Sequence, residues 1–575
     1  MTNHELANTF RLIADLLDIQ GEVIYVTLAY RKVADSLETL GRDIADVWRE
    51  GKLREVPGVG KAIAEKMDEL LRTGQLGFLE RLQAEVPPSL AELLRVPDLG
   101  PKKIALFWRS LGITTLAQLE AAAAGGQLRS LAGMGAKSEA KILAGLESLR
   151  RRSGRTPLGV ALPAALHMLA GLRTAPGVVN AALGGSLRRM KATVGDLDLL
   201  VAAADSAAVM QTFVSQPGVA RILGQGSTKS SVEFVNGLRA QLWVHSPERF
   251  GTALQYATGS KEHNVRLRQL ALDRGLSLSD QALTAADGRE ILCANEEEVY
   301  AALGLPWIAP ELRGDRGEIQ AALAGALPRL ITPGQRRAEL HSHSTWSDGR
   351  ASIREMALAA RAHGLQVLAV TDHSGGLGIT GGLKVEDIAR QRAEIDVVQQ
   401  EVGDSLRLLQ GAEVEIRADG SLDYSDEVLA QFDIVVASLH TSLRQPRDQV
   451  TARLLNAVRN PHVDIIGHPT GRLIPDREGA DLDMDAILAA AAQSGVALEI
   501  NANPSRLDLD DIAARRAIGM GIRLAINTDA HDPEHLTQEL FGIATARRAW
   551  VEPQHVINTW PPDALLAWLR SRKCT

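Results

Sequence analysis

The sequence predicts a multidomain protein with an all-α N-terminal region, an α+β middle and a C-terminal parallel βα barrel. Three observations carry this expectation. Over residues 1–155 apolar positions recur at helical spacing, and one short turn-and-helix pattern repeats three times. From 156 onward strand-like and helical runs alternate, and Asn236-Gly237 marks a two-residue hairpin. Beyond the stretch ALPRLITPGQRRAEL, seven short apolar runs are separated by helical segments. A chain of 575 residues suits about three to five compact units. The boundaries read as 1–85, 86–155, 156–250 and 251–325, a linker at 326–337, and 338–575.

Composition narrows the function classes. Hydrophobic residues make up 45% and charged residues 23%, as in an ordinary soluble protein. With only Cys293 and Cys574, neither a disulfide framework nor a Cys-rich zinc site can be built. The opening MTNHELANTF has no basic-then-apolar pattern, and no run of about 18 apolar residues occurs, so secretion and membrane insertion are not expected. The net charge of −7 is uneven: residues 1–155 carry 22 Lys and Arg against 20 Asp and Glu, and residues 326–575 carry 26 against 34. Carboxylates gather where a metal site would need them, while the near-neutral front half can still present a basic face.

In the N-terminal region the repeats are VPGVGKAIAEKM (56–67), VPDLGPKKIALF (96–107) and LAGMGAKSEAKI (131–142). A Gly-x-Gly turn feeding a helix exposes backbone N–H groups at the positive helix end, a seat for a phosphate that ignores base identity. Gly58, Gly60, Gly100, Gly133 and Gly135 are the candidate DNA-binding positions, with Asp98 in place of the first glycine of the middle copy. The three segments resemble helix-hairpin-helix motifs.

In the middle, GGSLRRMKATVGDLDLLV places Asp196 and Asp198 two apart on an expected strand. That spacing turns both carboxylates to one side, where they can share two magnesium ions of a nucleotidyl-transfer site. Gly185 and Ser186, with Arg188 and Arg189 beside them, offer backbone N–H groups and guanidinium charge to a triphosphate.

In the C-terminal region the runs are AEL, VLAV, LLQGAEV, DIVVAS, VDIIG, VALEI and RLAI. Six of them are followed or ended by metal-binding residue types: His341, His343 and Asp348, then His373, Glu413, His440, His468, and Asp529 with His531. Only VALEI offers no obvious ligand. Parallel barrels gather their active sites at the C-terminal strand ends, so these side chains should converge. Ten of the fourteen histidines fall within 341–575, and His363, His462, His535 and His555 lie off the pattern. Nine imidazole and carboxylate donors exceed what one ion uses, so two or three divalent metals are expected, zinc, manganese or iron.

The segments ELHSHSTWSDG, VTDHS, GAEVEI, ASLH, GHPTGR and NTDAH resemble the polymerase and histidinol phosphatase (PHP) domain. That resemblance implies metal binding at all nine positions, serving either 3′-5′ exonuclease or small-molecule phosphatase chemistry. Divalent ions in such a site acidify water and offset charge on phosphoryl oxygens. Together with YATGSKEHNVRLR (256–268), the Gly-Ser and Asp-x-Asp segment resembles the bacterial family X DNA polymerases that carry a C-terminal PHP domain. The match covers almost the whole chain. It implies a helical 8-kDa-like domain and a fingers-like domain with helix-hairpin-helix repeats, a nucleotidyltransferase-like palm and thumb, and a distorted (βα)7 PHP barrel. By residue it implies catalytic metal binding, magnesium or manganese, at Asp196 and Asp198. Gly185, Ser186 and Arg189 would hold the triphosphate, and Tyr256, Thr258 and Gly259 would border the nucleotide. In relatives with deoxyribose-phosphate lyase activity the Schiff-base lysine falls on Lys66, with Lys61 nearby and Tyr30 to Lys32 resembling a 5′-phosphate pocket.

The chain departs from the family at one cleft. The third palm carboxylate is replaced by Gln241, Trp243 stands for a cationic residue, and Ala257 for an aromatic one. Gln brings neither charge for magnesium nor a proton acceptor for the primer hydroxyl. Across a two-residue turn Glu233 should pair with Ala240 and face away, leaving no local substitute. The function expected is DNA repair of the base-excision type, with a metal-dependent 3′-5′ exonuclease in the PHP domain and weakened or lost gap filling. The partners expected are DNA with gaps or 3′ ends and a dNTP, in a cytoplasmic, nucleoid-associated setting with no membrane. The alternatives are an active gap-filling polymerase with a proofreading nuclease, and a small-molecule phosphatase of the PHP class.

Overall fold

The computed structural model describes residues 3–573 apart from 39–43, 57, 97–98, 154 and 377–380. Asp98 and Cys574 lie outside the described residues. The chain divides into two units: residues 1–154 with 345–350 and 375–384, and residues 155–344 with 351–374 and 385–575.

Among the described residues up to 153, the regular elements of the first unit are all helices. Lys61–Thr73 begins after the extended Gly60 and ends at Gly74, whose N–H returns to the Leu70 carbonyl. Its Ile63, Met67 and Leu70 are buried at i, i+4, i+7 spacing. Pro101–Leu111 starts with proline in its first turn, where no backbone donor is needed, and buries Ile104 and Phe107. Both helices pack into one core with Leu6, Phe10 and Ile13 of Asn3–Gln20.

In the second unit a five-stranded sheet comprises β1 (Val178–Leu183), β2 (Leu197–Ala203), β3 (Val219–Gln225), β4 (Lys229–Phe234) and β5 (Arg239–His245), in the order β1-β2-β5-β4-β3. β2 and β5 run parallel, which sets Asp198 opposite Gln241. The β4–β5 hairpin corrects the expected register. Gly237 is left-handed (φ +80°), Phe234 N–H donates to Leu238 O at 2.8 Å, and the loop has three residues, Val235 to Gly237. Glu233 therefore pairs with Arg239, not Ala240, and shares the face of Gln241. It is nonetheless engaged elsewhere, by Arg221 at 3.2 Å and Arg239 at 3.1 Å. A small antiparallel sheet over 276–291 follows.

The barrel holds seven parallel strands in sequence order: β6 (Ala338–Glu339), β7 (Val367–Val370), β8 (Arg407–Glu415), β9 (Ile434–Ser438), β10 (Ile465–Gly467), β11 (Ala497–Asn501) and β12 (Leu524–Asn527). A parallel bridge between Ser342 and Ala530 links the first strand's extension to the last, so the ring is nearly closed. Every residue of these strands except Arg407 is buried, which explains why they read as continuous apolar runs and not as alternating ones. The 326–337 stretch is no free tether: Ile331 N–H donates to Val551 O at 3.1 Å, and Arg547 donates to Ile331 O at 3.0 Å. Leu507 and Phe541 of the barrel region join the core beneath the five-stranded sheet.

Candidate metal centre and nucleotide cleft

Because all seven strands run one way, their C-terminal ends meet at one mouth. His341 and His343 follow β6, His373 follows β7, Glu413 lies in β8, His440 follows β9, His468 follows β10, and Asp529 and His531 follow β12. The Glu413 carboxylate is their hub. Its Oε2 lies 2.9 Å from His373 Nδ1, 3.4 Å from His341 Nε2 and 3.5 Å from His343 Nε2. Its Oε1 lies 2.9 Å from His468 Nε2 and 3.2 Å from His440 Nε2. Asp529 Oδ1 sits 3.1 Å from His343 Nε2 and 3.6 Å from His341 Nε2. Ligand atoms of His341, His343, Glu413 and Asp529 lie within 4.8 Å of one another, as do those of His373, Glu413 and His440, and those of His343, His373 and His531. Asp348 lies on the 345–350 segment, which groups with the first unit.

These residues fit divalent metals. Glu413 Oε1, Asp529 Oδ1, His341 Nε2 and His468 Nε2 are buried and make no hydrogen bond among the described residues. Polar atoms buried so close without hydrogen-bond geometry are costly unless a cation sits among them. The imidazole and carboxylate set suits zinc, manganese or iron. Burial opposes charge on His341, yet the carboxylates of Glu499, Glu413 and Asp529 hold its pKa well above the usual range. Burial likewise opposes ionisation of Glu413, and His440, His341 and His373 hold it well below. At His468 burial and the Arg506 charge push the pKa down.

A supporting layer of residues was not apparent from sequence. Glu499, in the VALEI run, lies 2.8 Å from His341 Nδ1 and accepts the His468 N–H at 2.6 Å. Glu415 lies 2.7 Å from His440 Nδ1 and accepts from Thr441. These carboxylates fix the two imidazoles so that their Nε2 atoms face Glu413. Asn501 donates to Asp529 Oδ2 at 3.1 Å, and Arg506 Nε lies 3.5 Å from the same atom. The available signal was a glutamate inside an otherwise apolar buried strand, as in GAEVEI and VALEI.

In the five-stranded sheet, Asp196 stands one residue ahead of β2 and Asp198 within it. Burial, then the Asp196 charge, raises the Asp198 pKa to about 6. Gly185 is left-handed (φ +58°), and a Cβ there would lie 1.8 Å from Asp198 Oδ2, so the Gly-Ser loop can approach the carboxylate only without a side chain. Gln241 donates its Nε2 to Asp196 Oδ2 at 3.0 Å. A cavity of about 530 Å³ is lined by Asp198, Arg189, Tyr256 and Gly259. Thr258 is fully buried, its hydroxyl engaged by Arg188 and the Leu254 carbonyl, both at 2.6 Å. Arg188 is tied to Glu296 at 2.7 Å, which leaves Arg189 of the two neighbours to line the cavity, together with Arg268. Lys229 Nζ sits 4.8 Å above the Trp243 ring from the paired position of β4, so a cation stands beside the tryptophan after all.

Comparison with known proteins decides the family. The chain is 38% identical over 561 residues, 97% of each sequence, to the DNA polymerase/3′-5′ exonuclease PolX of Bacillus subtilis (strain 168). The chain belongs to the bacterial PolX family. The helix-hairpin-helix domain model matches residues 1–76, the SAM-like helix-hairpin-helix tandem 90–148, the DNA polymerase beta thumb 253–314 and the PHP domain 339–503. Shorter similarities reach probable phosphatases: 31% over 235 residues for one of Thermoanaerobacter sp. (strain X514), covering 38% of this chain and 89% of that protein. Another, of Shewanella sediminis, is 29% identical over 245 residues, covering 41% of this chain and 91% of that protein.

The helix-hairpin-helix glycines of this PolX-family chain sit as their turns require. Gly58 and Gly133 are left-handed, and Gly60, Gly100 and Gly135 immediately precede helices. Among the described residues no atom outside the local chain lies within 4 Å of a Cβ built on Gly60, Gly100, Gly133 or Gly135, which leaves room for a ligand there. Lys66 Nζ lies 4.8 Å over the Phe78 ring, and Phe78 stacks on Tyr30. Arg31 is bound by Asp15 at 2.8 Å and Asp18 at 2.6 Å, while the Lys32 stem runs against Gly58.

Proposed function

We propose that the barrel mouth is the active centre of a metal-dependent 3′-5′ exonuclease acting on gapped or 3′-ended DNA in base excision repair, and that the palm serves mainly to bind DNA and nucleotide. The convergence of five imidazoles on Glu413 carries this reading. His341, His343, Asp348, His373, Glu413, His440, His468, Asp529 and His531 are the proposed ligands, for about two or three ions of zinc, manganese or iron. When bound, such ions acidify water and offset charge on the phosphoryl oxygens. Glu415 and Glu499 orient imidazoles, and Arg506 presents a guanidinium beside Asp529. The helix-hairpin-helix glycines Gly58, Gly60, Gly100, Gly133 and Gly135 hold the DNA backbone. Gly185, Ser186, Arg189, Tyr256 and Gly259 hold the nucleotide, the buried Thr258 accepts from Arg188 and Arg189, and Asp196 and Asp198 hold magnesium or manganese. No helix among the described residues is long and apolar enough to cross a membrane. A cytoplasmic, nucleoid-associated setting is part of the same proposal.

The weakened gap filling rests on Gln241. Its amide N–H, not its carbonyl, faces Asp196, and it adds neither charge nor a proton acceptor. Primer extension on a gapped duplex with magnesium or manganese tests this. Robust gap filling by the unmodified protein overturns it, and recovery on Gln241→Asp supports it. Lys229 over Trp243 favours the second reading, an active polymerase with a proofreading nuclease, because the cleft retains a cation. The Lys66 surroundings, an ammonium over Phe78, accommodate a lyase lysine, and borohydride trapping on a 5′-deoxyribose-phosphate end tests that role. The similarity to probable phosphatases favours a small-molecule phosphatase. Labelled DNA and phosphomonoesters assayed side by side separate the two hydrolytic readings.

A further inference from the structure

The turn after the Gly-Ser loop, Arg189 to Lys191, meets barrel residues. Arg548, at the end of helix Glu539–Arg548, donates to the Arg189 carbonyl at 3.0 Å and to Asp511 Oδ2 at 2.7 Å. Arg316, near the end of the thumb region, reaches the same Asp511 oxygen at 2.7 Å. One carboxylate thus serves two guanidinium groups while Arg189 and Lys191 add further positive charge. The Lys191 ammonium makes no hydrogen bond or ion pair among the described residues. Two cavities open on this junction. One of about 140 Å³ is lined by Arg189, Lys191, Arg316 and Arg548, and one of about 320 Å³ by Lys191, Arg548, Arg155 and Arg472. The other carboxylates do not cancel the excess. Glu311 is held by Arg547 at 2.7 Å, Asp510 lies 4.0 Å from Arg472, and only Glu262 remains on the smaller cavity.

Half-buried like charges repel, and burial followed by the Arg548 charge lowers Lys191 to about 8. Forked guanidinium groups around an unpaired ammonium match a tetrahedral oxyanion, which accepts several charge-assisted hydrogen bonds at once. We propose that this junction binds a phosphoryl oxyanion of phosphate or pyrophosphate size, at a site apart from the barrel metal centre, whose two cavities have Arg189 as their one lining residue in common with the nucleotide cleft. Inorganic pyrophosphate and the phosphate of a nucleoside monophosphate share this chemistry. A bound anion would tie the palm turn, the thumb end and the barrel together through Arg189, Arg316 and Arg548.

The test uses the full chain with its metals. Lysines are acetylated with N-hydroxysuccinimidyl acetate, and the Lys191 peptide is followed by mass spectrometry, with the exposed Lys52, outside the three repeats, as control. Millimolar pyrophosphate or deoxynucleoside monophosphate should slow Lys191 acetylation about tenfold and leave Lys52 unchanged, whichever ligand does so naming the source. In calorimetry Lys191→Gln should weaken binding of the protecting anion about tenfold, with circular dichroism unchanged. Unchanged acetylation with both anions, or unchanged affinity in Lys191→Gln, overturns the proposal. So does loss of protection in Ser186→Ala, which would place the anion in the triphosphate loop.

Discussion

At Glu413 five imidazole nitrogens face two carboxylate oxygens, and the orientation of two of those rings depends on Glu415 and Glu499. Removing either outer carboxylate leaves the proposed ligands in place but frees a ring to rotate or change tautomer. Glu415→Gln and Glu499→Gln should therefore weaken metal affinity about 10- to 100-fold, read as the metal concentration giving half-maximal nuclease activity. An unshifted midpoint in both would mean that the rings are held by other contacts. Glu296 poses a different question of charge. It is buried between Arg188 and Arg313, and although burial opposes its ionisation the two arginines lower its pKa to about 2. Its stabilisation is complete above the unfolded value near 4.5 and is lost as pH falls toward about 2. Glu296→Gln should cost about 3–5 kcal/mol near neutrality. In denaturant unfolding the gap between the two proteins should narrow below pH 4.5, and a constant gap would contradict the assignment.

At the scale of elements, the seven barrel strands were legible because burial on both faces writes them as unbroken apolar runs with ligands at their ends. The β4–β5 hairpin was only half legible. Asn-Gly fits both a two-residue turn and a three-residue loop closing on a left-handed glycine, and local sequence does not choose between them. That single residue moved Glu233 onto the face of Gln241, and the pairing with Arg221 and Arg239, invisible without the register, is what engages it. Gly237→Ala should cost about 1–2 kcal/mol in thermal or denaturant unfolding, since φ is +80° there. A cost near zero would contradict the left-handed conformation at Gly237. Gly185→Ala combines a left-handed backbone with a Cβ 1.8 Å from Asp198 Oδ2. It should weaken nucleotide binding at least about tenfold, measured by calorimetry, while the barrel nuclease stays unchanged.

Across the whole molecule, what could not be read from the chain was contact between distant segments. Nothing in the segment NPSRLDLDD shows that its Arg506 approaches Asp529 while the neighbouring Leu507 enters the core of the five-stranded sheet. Nor does Trp243 show that Lys229 will lie over its ring. The meeting of eight candidate ligands, all but Asp348, was legible for the opposite reason: topology alone brings C-terminal strand ends together. Metal analysis of the purified full chain, paired with a 3′-5′ exonuclease assay before and after chelation, tests this assignment most directly. Expected are about two or three zinc, manganese or iron ions per chain, nuclease activity lost with them, and both reduced together in Glu413→Gln. Less than one ion per chain, with DNA cleavage surviving chelation, would contradict it.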